Sequence, residues 1–293
     1  MRASQQQQTP LRFVLWAFLA LVTLYSFTLW TRSPLGGELS IPASQPGADL
    51  EVLGIGRHSA TVVFVHGLRG SGTLGVPLIE RIRDKLWQVS FLLPSAPEIA
   101  LTAKDGDLVP AWFDIDELPF VRHGEYPPMP THEDEAGMKK SVERLHRLIA
   151  GELDKGIDSN RIILAGFSQG CAISLLAALS SKEQLGGVMC LSGWLPMSNK
   201  LQNSGNKLRH PMQEPHAHNL PVFWGHGDAD NIIAHNWAEE SIGYLHKMGF
   251  TDVEFHSYAG ASLYPTLPGL KHALGRDEEK DIAAWLAKQL PPI

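Results

Sequence analysis

Short apolar runs alternate with amphipathic stretches from about residue 51 to the end of the chain. Ala60–Val65 (ATVVFV), Val89–Leu93 (VSFLL), Arg161–Ala165 (RIILA), Val188–Leu191 (VMCL) and Pro221–Trp224 (PVFW) are too short for helices and carry few polar positions. That is the pattern of strands buried on both faces. Val253–Tyr258 reads as a further strand. Between the strands, Met138, Val142, Leu145, Leu148, Ile149 and Leu153 recur at three- and four-residue steps, which puts them on one face of a helix and leaves its charged residues to water. Further helices are expected at about Gln169–Ser181, Trp237–Met248 and Glu278–Leu290. The alternation predicts an α/β domain with a mainly parallel sheet and helices on both faces. No internal repeat is visible.

The N-terminus follows a different pattern. After a polar leader, residues 1–12, the stretch Phe13–Trp30 (FVLWAFLALVTLYSFTLW) runs about 18 residues without a charge, just enough to span a bilayer as a helix. A cleaved signal peptide would need a shorter apolar region and small residues at its end, where this one has Phe27, Leu29 and Trp30. A buried core helix would carry one apolar stripe, whereas Trp, Phe and Leu surround this one. The chain is therefore expected to be a single-pass membrane protein anchored through residues 13–30, on a side of the membrane that the flanking charges leave open. Residues 31–50, rich in Pro, Gly and Ser, read as a linker, and residues 51–293 as the folded domain.

Composition narrows the function. The 293 residues are 44% hydrophobic and 19% charged, enough for one sizeable core. The net charge of −6 and the absence of a basic run give no reason to bind nucleic acid. The two cysteines, Cys171 and Cys190, lie in apolar surroundings and read as reduced thiols packed as small hydrophobes, a disulfide between them being disfavoured. His210, His216 and His218 sit among prolines without metal-ligand spacing, so no metal site is expected.

The candidate chemistry centres on Gly166-Phe167-Ser168-Gln169-Gly170, a G-x-S-x-G between an expected strand and an expected helix. A nucleophile on so sharp a turn needs glycine on either side, where a Cβ would collide with backbone, and it sits at the positive end of the following helix. A serine hydroxyl needs a histidine to take its proton and an acid to orient that histidine. In this type of site both follow the serine, acid first. Gly225-His226-Gly227-Asp228-Ala229-Asp230 offers two carboxylates beyond the strand PVFW, of which Asp230 is the candidate acid and Asp228 a turn former. His235, His246, His256 and His272 compete as base. His246 falls in an expected helix and His256 in an expected strand, whereas His272 sits in a loop before the last helix. For the oxyanion, Leu68, in the His66-Gly67-Leu68 turn after ATVVFV, and Gln169 each offer a backbone N–H. An ordinary Gly-rich turn is the alternative for that first loop.

Seven strings in one order carry a resemblance: VFVHGLRGSG (63–72), LLPSAPE (92–98), VPAWFDI (109–115), EDEAGMKKSVERLHRLI (133–149), SNRIILAGFSQGCAISL (159–175), LSGWLP (191–196) and HGDAD (226–230). The chain resembles the acyl-protein thioesterase/lysophospholipase (phospholipase/carboxylesterase) family of α/β-hydrolases over roughly residues 60–290. The resemblance implies an α/β-hydrolase fold, Ser168 as nucleophile, Asp230 as acid, His272 as base, Leu68 and Gln169 as oxyanion donors, and Trp112 near the acyl-binding groove. It also implies that no cofactor or metal takes part, and that the substrates are acylated proteins, lysophospholipids or simple carboxylic esters. Three features depart from the family: the apolar N-terminus, Asp230-Asn231-Ile232-Ile233-Ala234 in place of Asp-Pro-x-Val-Pro, and an insertion, ASLYPTLPGLK (261–271), between Tyr258-Ala259-Gly260 and His272. That insertion is expected to form a loop beside the catalytic mouth, with Leu263, Tyr264, Leu267 and Leu270 either packed on the domain or lining the groove.

Overall fold

A computed structural model of the protein describes residues 48–118, 127–259 and 271–293. Seven strands form one sheet: β1 (Leu50–Val52), β2 (Ala60–Val65), β3 (Val89–Leu93), β4 (Ile162–Phe167), β5 (Gly187–Leu191), β6 (Val222–Gly227) and β7 (Val253–Tyr258). Their spatial order is β1-β3-β2-β4-β5-β6-β7. Every neighbouring pair is parallel except the edge strand β1, which runs antiparallel to β3. β2 and β5 are buried along their whole length, as their unbroken apolar sequences require of strands covered on both sides.

Among the described residues five helices do the covering: α1 (Val76–Ile82), α2 (Glu135–Asp154), α3 (Gln169–Leu179), α4 (His235–Met248) and α5 (Arg276–Gln289). Alternate strand residues divide the core between the two faces. Val63, Val65, Leu164, Val188 and Trp224 pack in one cluster with Met138, Val142, Leu145 and Ile149 of α2, Leu175 and Leu176 of α3, and Trp237 and Leu245 of α4. On the opposite face Phe223 of β6 meets Trp285 of α5 at 5.8 Å between ring centres, and Arg81 of α1 reaches Glu279 of α5. The α2 stripe is the one its three- and four-residue spacing predicts. Its start is fixed by Asp134, whose carboxylate accepts from the Gly137 N–H at 2.9 Å.

Two pieces of local structure went unpredicted. Glu98–Leu101 pairs with Asp107–Pro110, and Gln202–Ser204 with Lys207–Arg209, as small antiparallel hairpins. β1 begins at Leu50, the last residue of the expected linker. Asp49, one residue earlier, is tied to the domain through Arg144 and the Ser95 N–H.

Two expectations are corrected. Cys171 and Cys190 are joined in a disulfide instead of standing as separate thiols. The reason is the register: β5 sets Cys190 beside Gly166 of β4, and Cys171 lies in the first turn of the helix that leaves β4, so the two Cα atoms are 4.6 Å apart. The single-pass membrane assignment is also corrected. No helix among the described residues is long and apolar enough to cross a membrane, and the stretch 13–30 on which the assignment rested lies outside them. Of the 261–271 insertion, residues 261–270 likewise lie outside the described residues.

Candidate active site

The strand order reverses direction between β2 and β4, from which the chain winds outward to opposite edges of the sheet. Such a point opens a crevice at the carboxyl ends of the two strands. The loop after β2 carries His66, Gly67 and Leu68, and the turn after β4 carries Ser168. Ser168 adopts φ 57° and ψ −121°, a backbone region that costs a non-glycine residue roughly 1–3 kcal/mol. The surroundings hold it there: its N–H donates to Leu191 O at 2.8 Å, and its own carbonyl accepts from the Cys171 N–H at 3.0 Å. Both flanking glycines are obligatory. A Cβ on Gly166 would stand 2.2 Å from Gly170 O, and one on Gly170 2.0 Å from Val65 O.

From this turn the Ser168 hydroxyl lies 2.8 Å from His272 Nε2, and His272 Nδ1 lies 2.8 Å from Asp230 Oδ2. His272 occupies the loop before α5, with its ring 4.7 Å from that of Phe167. Asp230 follows β6. Its Oδ1 accepts from the N–H groups of Ile232 and Ile233, both at 2.9 Å. Burial pushes the Asp230 carboxyl up, but His272 and His226 beside it outweigh that and hold it well below the usual carboxylate range. Asp230 is thus a fixed negative charge on the far side of His272 from the serine.

The remaining candidates are placed elsewhere. Asp228 is exposed in the turn, with its N–H bonded to Tyr258 O. His235, His246 and His256 are engaged by Ser257, the Phe250 carbonyl and Glu254 respectively.

Leu68 and Gln169 stand on either side of Ser168, on the β2 loop and at the start of α3. Neither backbone N–H is taken up by a partner among the described residues. Gly67 lets the loop approach, since a Cβ there would be 3.1 Å from that of Ser168. Three side chains brace this pair: those of His66 and Gln169, which the sequence did not single out, and that of Trp112, which the resemblance put near the acyl-binding groove. His66 is buried, accepts from the Ala96 N–H through Nε2 at 2.9 Å, and so carries its proton on Nδ1, which faces Gly67 O. Burial lowers its pKa to about 4. The Gln169 side chain accepts from Trp112 N–H and donates to Phe113 O. Trp112 is buried beneath the site, 2% exposed, and its indole N–H donates to His66 O at 2.8 Å. The only signal for these braces was their place in the matching strings, because a brace leaves no periodicity of its own.

Comparison with known proteins follows the same lines. Residues 52–271 match the sequence model of the phospholipase/carboxylesterase family, an α/β-hydrolase group. The chain belongs to that family. Acyl-protein thioesterase 1 of Cryptococcus neoformans is 35% identical over 236 residues, covering 80% of this chain and 93% of that protein. Acyl-protein thioesterase 1 of Gibberella zeae is 37% identical over 240 residues, with the same coverage. The crystal structure of Zea mays acyl-protein thioesterase 2 superposes with a TM-score of 0.66 at 26% identity, over 83% of this chain and 99% of the maize chain. This phospholipase/carboxylesterase family member is a serine hydrolase of esters or thioesters.

Proposed function

We propose that this hydrolase removes acyl groups from cysteine thioesters of proteins, with Ser168 as nucleophile, His272 as general base and Asp230 as the orienting acid. The observation that carries the reading is the unbroken hydrogen-bonded chain from Ser168 Oγ through His272 to Asp230, each link 2.8 Å. The thioester preference rests on the named activity of the relatives.

In the first half-reaction Ser168 Oγ attacks the acyl carbonyl carbon while His272 Nε2 takes its proton. The carbonyl oxygen gains the negative charge and is met by the Leu68 and Gln169 N–H groups, which are held in place before the substrate arrives. Asp230 keeps the His272 Nδ1 proton in position and stabilises the imidazolium that forms. Collapse breaks the C–S bond, His272 returns its proton to the leaving sulfur, and the acyl group is left as an ester on Ser168 Oγ. A water molecule, deprotonated by His272, then attacks that ester; the bond to Ser168 Oγ breaks, His272 returns the proton to Oγ, and the carboxylic acid is released. Trp112 serves as the brace of the oxyanion loop, holding His66 O beneath the acyl-binding site. The catalytic domain starts just before Leu50 in this reading.

Hydrolysis of a panel comprising an S-acylated peptide, short- and long-chain carboxylic esters and a lysophospholipid tests the reading. The S-acylated peptide is expected to give the highest kcat/KM. A clear preference for lysophospholipid or short oxyesters would replace the thioesterase assignment with that of a lipase or carboxylesterase.

A further inference from the structure

We propose that His226 is a positioning residue of the catalytic acid, holding Asp230 Oδ2 at the angle from which it receives the His272 proton donor. The inference rests on the reading of Asp230 as that acid. His226 lies near the end of β6 and is completely buried. Its Nε2 is 3.1 Å from Ile233 O and 3.4 Å from Asp230 Oδ2. Both neighbours are oxygens, so Nε2 carries a proton, which it donates to Ile233 O while standing 3.4 Å from the Asp230 carboxylate. Nδ1 has no partner in reach among the described residues.

The loop Asp230–Ile233 is thereby gripped from two sides. The N–H groups of Ile232 and Ile233 hold Oδ1, and His226 bonds the Ile233 carbonyl and sets its polarised N–H 3.4 Å from Oδ2. Without the imidazole, Oδ2 would keep only His272, and the carboxylate could turn about its Cβ–Cγ bond. A misdirected acid leaves the base free to rotate, and a shift of about 1 Å in such a relay costs up to roughly 100-fold in rate. The relative placement argues for positioning and against direct participation: Asp230 and the β6–α4 loop lie between His226 and the reacting atoms. The charged and titratable groups around this pair are His272, His235 at 5.5 Å between ring centres, and the buried Glu278, which senses the Asp230 charge.

The test uses the full chain with His226→Leu, His226→Gln and His226→Asn. Gln can present an N–H close to where imidazole Nε2 stands, and Asn cannot reach that far. A soluble p-nitrophenyl ester serves as substrate, with kcat, KM and the pH profile of kcat/KM as readouts. His226→Leu is expected to lower kcat about tenfold or more with KM little changed, and to move the acid limb of the profile to lower pH. That shift arises because a carboxylate turned away from His272 gives its protonated form less support. His226→Gln is expected to restore most of kcat. If His226→Leu does not fold, the Gln and Asn variants decide: a higher kcat and an unshifted acid limb for Gln support the proposal. Equal kcat and identical acid limbs in the folded variants would overturn it. Ser168→Ala and Asp230→Asn run alongside: if these two stay active, the site reading itself has failed, whereas if they are inactive and His226 is silent, only the positioning role has.

Discussion

Ser168→Ala, His272→Ala and Asp230→Asn each remove one member of a relay that works as a unit, so each is expected to lower kcat by roughly 10³-fold or more, with double variants little worse than single ones. Asp228→Asn is expected to stay within about threefold of the parent, because its exposed side chain is no part of the His272–Asp230 bond. Steady-state kinetics on a soluble ester, with a melting curve for each variant, check both statements. A second residue-level expectation concerns Glu278. Burial pushes its carboxyl up to about 8 against the Gly275 N–H, which pulls the other way, and Glu279, Asp230 and Asp281 add to the rise. In the unfolded chain the same group ionises near 4.5. Between those values the folded state binds the extra proton, so this carboxyl stabilises the fold at low pH and that contribution fades as pH climbs from about 4.5 to about 8. Glu278→Gln keeps an acceptor for the Gly275 N–H without the titration. Its stability relative to the parent is expected to rise across that window, by on the order of a few kcal/mol. Paired denaturant melts at pH 5 and pH 8 measure it, and a difference independent of pH would show that Glu278 does not titrate in the window.

At the scale of elements, the disulfide ties the first turn of α3 to β5 directly under the nucleophile turn. Its sulfur on Cys171 fills the space beside Gly193, where a Cβ would approach Cys171 Sγ to 2.4 Å and Ser168 O to 3.0 Å. With the cysteines 19 positions apart in sequence, the loop-closure model gives a stabilisation of about 3 kcal/mol. Cys190→Ala is expected to lose that order of stability, read by urea unfolding, while kcat on a soluble ester falls far less than in the Ser168 and His272 variants. The sequence made the strands legible where apolar runs are unbroken: Ala60–Val65, Val89–Leu93 and Val253–Tyr258 are read with their observed limits. β4 and β6 run further than their apolar residues, to Phe167 and Gly227. There the ladder partners Leu191 and Tyr258 stabilise backbone whose Gly and His residues carry no strand signal of their own. The two hairpins and β1 are three or four residues long, too short for a period to register. Ser168, His272 and Asp230, which the fold brings into one hydrogen-bonded chain, could be singled out as candidates because a strand-to-helix glycine turn, a strand-end acid and a loop histidine each have a local signature. His66, His226 and the Gln169 side chain act through contacts made by distant segments, and no local pattern marks them. The pairing of Cys171 with Cys190 was hidden for the same reason, since it depends on the register of β5 against β4.

For the whole molecule, the account places a complete catalytic unit between Asp49 and the C-terminus. A chain beginning at residue 48 is expected to fold and to hydrolyse a soluble ester within about twofold of the full chain. Deletion through Leu53 removes β1 and the Asp49 contacts to Arg144 and Ser95, and is expected to lower the melting temperature. Unfolding of the shorter deletion would move the domain boundary into the first 47 residues. The central claim, acyl transfer through Ser168, is tested most directly by trapping the intermediate: the enzyme is mixed with an S-acylated peptide, quenched with acid within milliseconds to seconds, digested and examined by mass spectrometry. The expected result is an acyl mass increment on Ser168 in the peptide carrying Gly166-Phe167-Ser168-Gln169-Gly170, appearing together with the released thiol and absent in Ser168→Ala. Turnover of the S-acylated peptide by Ser168→Ala at the parent rate, or an acyl group trapped on a different residue, would contradict the account.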